Sequence, residues 1–232
     1  MKNVLGIMGG MGPLATQLFY KMLIEHTAAE KDQDHINVLI IGDASMPDRT
    51  NAILSGDTEP VYEKLRENFA FLAEAGCMAA AVPCNTSHYF IDRIEHEIGI
   101  PVINMIKESA REVAKTCRGE RVGVLATDGT IKTGLYQKAL ESEGVEAYTM
   151  SEEGQKLVMH EIYDCVKCGV PVDESAWSRI QQELIDNGCR KALLACTELS
   201  VIKEEKKLSD YYIDAMGVLA VRSIEYMGKR VK

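Results

Sequence analysis

The sequence predicts an α/β fold in which parallel strands alternate with helices. Short apolar runs bounded by turn residues are typical of buried parallel strands, and they lie at residues 4–8, 38–41, 78–82, 102–103, 122–125, 192–195 and 212–213. Segments of helical period lie between several of these runs, at residues 15–26, 61–75, 107–116 and 175–187. Gly76 and Gly188 follow two of the predicted helices as C-caps. Alternation of this kind indicates helices on both faces of a sheet.

An internal repeat divides the chain into two similar halves. Residues 75–87 align with residues 187–199, and the alignment pairs Cys84 with Cys196 at an offset of 112 residues (196 − 84). Two further pairs of segments correspond in the same order: 6–12 with 123–129, and 101–105 with 212–216. Motifs repeated in one order indicate two lobes related by pseudo-two-fold symmetry.

We therefore expect two pseudosymmetric lobes, each a parallel sheet flanked by helices, with the active site in the cleft between them. The first lobe is predicted to comprise residues 1–102 together with 211–232, because the C-terminal segment packs back on it. The second lobe is predicted to comprise residues 103–210. A single continuous doubly wound sheet is the alternative.

The composition narrows the classes of partner. Of 232 residues, 46% are hydrophobic and 26% are charged, and the net charge is −9. Nucleic acid and anionic membranes require a basic surface, so neither is expected as a partner. No stretch is long and apolar enough to span a bilayer, and the Gly-rich segment 9–13 interrupts the apolar residues that a leader would need. Together with the odd number of cysteines, seven, these features predict a cytoplasmic protein.

Two cysteines stand where ligands bind in parallel α/β sheets. In each half an apolar strand ends at a cysteine followed by small polar residues, in Pro83-Cys84-Asn85-Thr86 and in Ala195-Cys196-Thr197-Glu198. Ligands bind outside the carboxyl ends of such strands, where helices begin. We expect a helix to begin after each cysteine, with Asn85 or Thr86 as an N-cap. A helix N-terminus stabilises a thiolate, so both cysteines are expected to have a pKa below the usual value of about 8.5.

Such a pair of cysteines is suited to inverting a stereocentre. A thiolate removes the Cα proton from one face, and a thiol delivers a proton to the opposite face. Hydrogen-bond donors must stabilise the carbanion through the α-carboxylate, and candidate donors are Asn85, Thr86, Thr197 and the loop 127–130, which holds Thr127 and Thr130. Two buried core cysteines without a chemical role are the alternative.

Several motifs carry a resemblance to a known family. They are Gly9-Gly10-Met11-Gly12-Pro13-Leu14-Ala15-Thr16, Pro47-Asp48-Arg49-Thr50, Pro83-Cys84-Asn85-Thr86-Ser87-His88, Leu125-Ala126-Thr127-Asp128-Gly129-Thr130 and Ala195-Cys196-Thr197-Glu198-Leu199-Ser200. With these motifs the chain resembles the aspartate/glutamate racemase family over nearly its whole length. The resemblance implies a homodimer without a cofactor, with the cysteine pair as acid and base. It also implies that Arg49 and Lys167 hold the side-chain carboxylate of the substrate.

The predicted function is therefore racemisation of an acidic amino acid, aspartate first and glutamate second. Both catalytic positions are cysteine, whereas some relatives have threonine at the first, so racemisation in both directions is expected. No metal is expected. The predicted substrate-binding residues are Arg49, Asn85, Thr86, Thr127, Thr130, Lys167, Thr197 and Glu198. The sequence leaves open whether aspartate, glutamate or a neutral analogue such as homoserine is preferred. It also leaves open which cysteine is the resting thiolate.

The two basic candidates have simpler interpretations from the residues alone. Arg49 is then a solvated arginine in a loop after the second strand, although a guanidinium also pairs bidentately with a carboxylate. Lys167 is a helix C-terminal lysine that complements the helix dipole. It points away from the apolar face formed by Val158, Ile162 and Cys165.

Other motifs leave alternative functions open. Residues 10–15 fit the dinucleotide fingerprint and Asp43 ends the next strand, so an NAD-linked oxidoreductase is possible by pattern, although a proline within the motif removes a backbone donor. Cys165 and Cys168 are spaced as a redox pair or half a zinc site, but ordinary helix cysteines are favoured. His88 is either a base or cation beside Cys84 or a locally satisfied polar group. An amino-acid sensor without turnover, and thiol chemistry on hydantoins or arylmalonates, are further alternatives. The role of Asp128 is left open.

Overall fold

The computed structural model of the protein describes residues 3–232 and contains two parallel four-stranded β-sheets flanked by helices. The predicted α/β class is confirmed. The chain divides into two compact units. One runs through Glu108 and includes Met216–Lys232, and the other is Ser109–Ala215, whereas the sequence predicted boundaries near residues 102 and 211. Within residues 3–232, no helix has the length and hydropathy required to cross a membrane.

The first unit has the strand order β2-β1-β3-β4, with every pair parallel. Its strands are β1 (Val4–Gly9), β2 (Asn37–Gly42), β3 (Ala79–Ala81) and β4 (Val102–Ile103). Its helices are α1 (Pro13–His26), α2 (Arg49–Ser55), α3 (Glu59–Glu74) and α4 (Ile91–Ile98), with short 3-10 turns at Asp32–Asp34 and Thr86–Tyr89. Every residue of β1 is buried, as expected for a central parallel strand covered on both faces. Helix α5 (Met105–Cys117) contains the boundary between the two units.

The second unit has the order β6-β5-β7-β8, again parallel throughout. Its strands are β5 (Arg121–Leu125), β6 (Glu146–Thr149), β7 (Lys191–Leu194) and β8 (Tyr212–Asp214). Its helices are α6 (Asp128–Thr133), α7 (Leu135–Ser142), α8 (Glu152–His160), α9 (Glu174–Asp186) and α10 (Thr197–Lys206). A π-helical segment, Glu161–Val166, continues directly from α8. Helix α11 (Ala215–Tyr226) then leads the chain back into the first unit.

The two sheets share a packing device as well as a strand order. On β1, a Cβ added to Gly6 would lie 2.9 Å from Cδ1 of Leu72 in α3, and on β5 a Cβ added to Gly123 would lie 2.1 Å from Cδ2 of Leu184 in α9. The two leucines are 112 residues apart (184 − 72), the same offset as the repeated cysteines. Each sheet therefore receives its covering helix through a leucine seated on a glycine.

The predicted strands are confirmed to within one or two residues, and β6 is the strand that the sequence analysis missed. Strand β6 lies at the edge of its sheet, begins with an exposed glutamate and is otherwise only half-buried. It therefore lacks the continuous apolar run that marks a central parallel strand. Both predicted C-caps follow their helices with a positive φ, 74° at Gly76 and 67° at Gly188.

Replacing Gly123 with alanine is expected to lower the free energy of unfolding by about 1–3 kcal/mol, because the added methyl group overpacks the contact with Leu184. Urea denaturation followed by circular dichroism measures the effect. Gly42→Ala is the matched control, since a Cβ at that strand glycine meets nothing within 4 Å. Equal stability of the two variants would contradict the packing argument. In Gly123→Ala/Leu184→Ala the clash is removed, so the loss of stability should be smaller than the sum of the losses in the two single variants.

Candidate active site

Cys84 lies just beyond the carboxyl end of β3 and is buried, with 5% of its surface exposed. Its backbone N–H donates to the carbonyl of Val82 at 2.7 Å, which turns the chain sharply after the strand. The hydroxyl of Ser87 lies 3.0 Å from Cys84 Sγ and 3.3 Å from Met11 Sδ. The predicted helix after Cys84 is only the 3-10 turn Thr86–Tyr89, and a full helix begins later, at α4. Ser87 was not among the predicted site residues, although it stands within the motif around Cys84.

His88 holds the backbone around Cys84 and does not touch its thiol through a ring nitrogen. Its Nε2 accepts a hydrogen bond from the N–H of Met105 at 3.0 Å, and its Nδ1 lies 3.0 Å from the carbonyl oxygen of Cys84. Since Nε2 accepts, Nδ1 carries the proton and donates to that carbonyl. Burial lowers the pKa of His88 to about 4. The ring is therefore neutral at physiological pH, so the hypothesis of a neighbouring cation is wrong, and His88 links the Cys84 loop to the start of α5.

Cys196 lies at the matching edge of the second sheet, after β7 and immediately before α10. Its thiol donates a hydrogen bond to Oε2 of Glu198 at 2.9 Å. The other carboxylate oxygen, Oε1, accepts from Lys167 Nζ at 2.5 Å. The Glu198 side chain is only 6% exposed, and that of Lys167 is 26% exposed. Three residues that the sequence analysis predicted separately therefore form one hydrogen-bonded cluster within the second unit.

The electrostatics of Cys196 differ from the prediction. Burial raises the pKa of Cys196 well above its ordinary value, the negative charge of Glu198 raises it further, and Lys167 opposes these effects. The expectation of a lowered pKa at the start of α10 is therefore wrong for this cysteine. The helix N-terminus is present, as predicted, but desolvation and an adjacent carboxylate outweigh it.

The π-helical segment determines where Lys167 lies. The backbone N–H of Lys167 donates to the carbonyl of Ile162 at 3.1 Å, five residues earlier, instead of four as in an α-helix. Val158, Ile162 and Cys165 are buried, as predicted. The wider turn changes the direction of the residue that follows it, and the Lys167 ammonium reaches Glu198 on α10. A helical wheel of constant period had placed Lys167 opposite the apolar face, and the local change of period is the reason for the difference.

Arg49 opens helix α2 instead of lying in a solvated loop. Asp48 caps this helix, because its Oδ1 accepts from the N–H of Asn51 at 2.7 Å. The Arg49 side chain turns back so that Nη1 donates to the carbonyl of Pro47 at 3.0 Å. The residue is only 9% exposed. A buried guanidinium held by its own loop is suited to binding an anion, since it keeps its charge at any physiological pH.

The remaining predicted polar residues are all buried at strand ends or helix starts: Asn85, Thr86, Thr127, Thr130 and Thr197. The Thr127 hydroxyl caps α6 by accepting from the N–H of Thr130, and the two hydroxyl oxygens are 3.1 Å apart. Asp128 between them is held by Gln155 of α8, whose Nε2 donates to Asp128 Oδ1 at 2.8 Å and to the carbonyl of Ala126 at 2.9 Å. Asp128 therefore anchors the loop to α8.

The loop that fits the dinucleotide fingerprint uses its polar groups internally. The N–H of Gly10 donates to the hydroxyl of Thr16 at 2.9 Å, and that hydroxyl donates to the carbonyl of Gly12. The Asp43 carboxylate accepts from the Ser45 hydroxyl and from Asn68 at 2.8 Å, and these hydrogen bonds lower its pKa to about 2. These groups therefore already have partners where a pyrophosphate and a ribose would need them.

The cysteine pair at 165 and 168 has no metal-site geometry. Cys165 is buried within the π-helical segment, whereas Cys168 is exposed and donates to the carbonyl of Tyr163 at 3.2 Å. Across residues 3–232, no group of three or more His, Cys, Asp or Glu side chains is arranged to hold a metal ion.

Two parallel sheets of identical strand order, each with a buried cysteine at its carboxyl edge, define an α/β protein of duplicated architecture. The sequence matches the Asp/Glu/Hydantoin racemase family over residues 8–222. The chain belongs to this family and is an isomerase of the amino-acid racemase class.

Individual relatives agree with this assignment. The broad-specificity amino-acid racemase RacX of Bacillus subtilis (strain 168) is 23% identical over 227 residues, which cover 95% of this chain and 96% of that protein. The glutamate racemase of Aquifex pyrophilus is 34% identical over 115 residues, covering 49% of this chain but only 43% of that protein. The structure of Picrophilus torridus aspartate racemase is similar with a TM-score of 0.84 at 29% identity, and the match covers 99% of this chain and 96% of that chain.

The buried His88 should give the protein a measurable acid sensitivity. The pKa of His88 is about 4 in the folded state, against an ordinary value of 6.5. Between these values the unfolded chain binds more protons, so this residue lowers the stability as the pH falls from 6.5, by at most about 1.4 kcal/mol per pH unit. His88→Asn removes this contribution, and the variant should lose less stability over that pH range, as measured by urea denaturation at a series of pH values.

Above this range His88→Asn should cost about 1–3 kcal/mol, because a backbone partner of the ring is left unsatisfied. His96→Asn is the control, since His96 is exposed on α4. A wild-type protein whose pH dependence matched that of His88→Asn would show that the ring is not the buried neutral group described above.

Proposed function

We propose that the protein racemises an acidic amino acid, aspartate first and glutamate second, by moving the α-proton between Cys84 and Cys196 without an added cofactor. The observation that carries the proposal is the repeated position of the two buried cysteines, each beyond the carboxyl end of an inner strand of its sheet. Each sulfur has a polar partner at hydrogen-bond distance, Ser87 for Cys84 and Glu198 for Cys196. The 29% identity with an aspartate racemase over almost the whole of both chains supports the choice of aspartate.

The proposed reaction consists of two proton transfers on opposite faces of one α-carbon. One cysteine, as thiolate, takes the α-proton, and the electron pair of the broken C–H bond remains on the α-carbon and its carboxylate. The other cysteine, as thiol, gives its proton to the opposite face and becomes the thiolate. Both transfers are general acid–base steps, and hydrogen bonds to the α-carboxylate stabilise the intermediate charge. We assign that role to Asn85, Thr86, Thr127, Thr130 and Thr197.

The side-chain carboxylate of the substrate is proposed to bind Arg49 and Lys167. Arg49 is buried and its guanidinium offers a bidentate fork. Lys167 is paired with Glu198, but an ammonium has several N–H donors and serves two anions at once. Glu198 completes the same substrate site. Because the net charge of the protein is −9, local cations of this kind are needed to bind a substrate that carries two carboxylates.

We further propose a homodimer in the cytoplasm. The family resemblance supports the dimer, and the cysteine content supports a reducing compartment. An amino-acid-binding protein without turnover remains the competing hypothesis. The measurement of α-proton exchange described below separates a racemase from such a binding protein.

Cys84→Ser and Cys196→Ser should each abolish racemisation, with losses of at least about 10²–10⁴-fold, since each removes a general acid–base group. Chiral chromatography of aspartate incubated with each variant measures the loss. In deuterated water, each variant should still exchange the α-proton of one enantiomer only, opposite for the two variants, as seen by loss of the α-proton NMR signal.

The controls for these variants are Cys77→Ser and Cys189→Ser. These residues are related by the same offset of 112 (189 − 77), but they precede β3 and β7 instead of following them. Both control variants should keep full activity. Wild-type protein that exchanges no α-proton of any amino acid would support a sensor, and activity retained by either catalytic variant would refute the two-cysteine mechanism.

Arg49→Ala should raise KM for aspartate by roughly 10-fold or more, because a charge-assisted hydrogen bond to the substrate contributes about 1.5–3 kcal/mol. The effect on alanine or homoserine should be much smaller. Steady-state kinetics on both substrate classes tests this, with Arg49→Lys as a variant that retains the charge. An equal loss on acidic and neutral substrates would show that Arg49 supports the fold and does not select the carboxylate.

A further inference from the structure

We propose that the resting enzyme carries its transferable proton on Cys196, and that Glu198 is the positioning residue that keeps it there. Cys84 then starts the reaction as the base. This inference rests on the proposed racemase function, which requires one thiol and one thiolate but does not say which cysteine is which.

The first argument is the hydrogen-bond chemistry of the partner. An ionised carboxylate has only acceptors, so the 2.9 Å contact between Cys196 Sγ and Glu198 Oε2 is favourable only while the sulfur carries its proton. A thiolate at that distance would face a second anion in a site from which water is largely excluded. The ion pair with Lys167 at 2.5 Å compensates the carboxylate charge through its other oxygen, and therefore leaves the proton with the sulfur.

The other elements around Cys196 supply no stronger opposing effect. Three ionisable side chains act on the Cys196 thiol. They are Glu198 on α10, Lys167 just after the π-helical segment, and the buried phenol of Tyr136 on α7. Burial raises the pKa of Tyr136, so this group is neutral and adds no charge. Burial and Glu198 both raise the pKa of Cys196, and Lys167 lowers it by a smaller amount than Glu198 raises it.

The second argument is the contrast with Cys84. Its polar neighbour at 3.0 Å is the hydroxyl of Ser87, which is able to donate to a thiolate. The repeated fold therefore gives the two cysteines opposite kinds of partner: a donor for Cys84 and an acceptor for Cys196. After turnover Cys84 carries the α-proton and Cys196 is the thiolate. Repulsion from Glu198 drives Cys196 to take up a proton from water, Cys84 releases its proton to water, and the enzyme returns to its starting state.

The asymmetry of the two cysteines does not appear in the kcat/KM values of the two enantiomers. The two enantiomers have equal free energy in water, so kcat/KM must be the same in both directions whatever the resting state. Comparing these ratios does not therefore test the proposal. The protonation state of Cys196 has to be measured directly, in the protein without substrate.

The experiment is a difference titration of ultraviolet thiolate absorbance, which needs no reagent to reach the buried sulfur. Wild-type protein minus Cys196→Ser gives the titration of Cys196 alone, and the same subtraction is made in a Glu198→Gln background. Wild type should show no Cys196 thiolate up to a pH of about 8.5, the ordinary thiol pKa. Glu198→Gln should raise the thiolate fraction at a given pH by about tenfold or more, which is one unit of pKa.

Further variants protect the test against misfolding and general charge effects. Glu198→Gln leaves Lys167 without its partner, so Glu198→Gln/Lys167→Met, which removes both charges, is titrated as well. The pKa of Cys196 should be lowest in Glu198→Gln, intermediate in the double variant and highest in wild type. Glu152→Gln is the matched control, because it removes one member of an exposed glutamate–lysine pair on α8 and should change nothing. Circular dichroism checks the fold of each variant.

The inference is overturned if wild type shows the Cys196 thiolate at neutral pH, or if the titration of Cys196 is the same with Glu198 and with glutamine. Its failure is distinguishable from failure of the proposed function, because the titration requires no turnover. A protein that racemises aspartate through both cysteines but fails the titration would refute only the inference. A protein that shows the expected titration but never exchanges an α-proton would refute only the function.

Discussion

The ion pair between Lys167 and Glu198 is the contact on which the second half of the site depends. It joins the turn after the π-helical segment to the first turn of α10, and it fixes the carboxylate that accepts the hydrogen bond from the Cys196 thiol. Removing a buried carboxylate from water is unfavourable, and one ammonium at its edge offsets only part of that loss. Such a pair is weak evidence for stability, and we infer that its main effect is on the thiol that it faces.

The fold explains why a single architecture yields two chemically different cysteines. Both sheets have the same strand order, and each carries a glycine under a leucine of the covering helix, so each cysteine follows the corresponding strand of its sheet. The difference lies in the residues that follow the strands. Beyond β3 a 3-10 turn brings Ser87 to Cys84, whereas beyond β7 a long helix begins at once and brings Glu198 to Cys196. Repeated structure with diverged loops thus gives the two cysteines different polar partners.

Much of the fold could be predicted because central parallel strands are continuous apolar runs. The repeat of Cys84 at Cys196 marked the carboxyl ends of corresponding strands in the two sheets. The edge strand β6 escaped because half-exposed strands lack that signal. The orientation of Lys167 escaped because the π-helical segment breaks the helical period, and no simple rule marks such a segment in sequence. The pKa of Cys196 is raised, whereas the sequence predicts that it is lowered. The reason is that a helix N-terminus is visible in sequence, whereas burial beside a carboxylate is a tertiary property.

The same reasoning explains why His88 resembled a catalytic group but is a structural one. A histidine four residues beyond Cys84 is a natural candidate base, yet both ring nitrogens here are bonded to backbone groups, at Cys84 and Met105. Such a ring has no lone pair or proton left for the substrate. What it does supply is rigidity, since it joins the Cys84 loop to the start of α5, the helix in which the chain passes from one unit to the other. We therefore infer that the role of His88 is to fix the backbone that carries the Cys84 thiol.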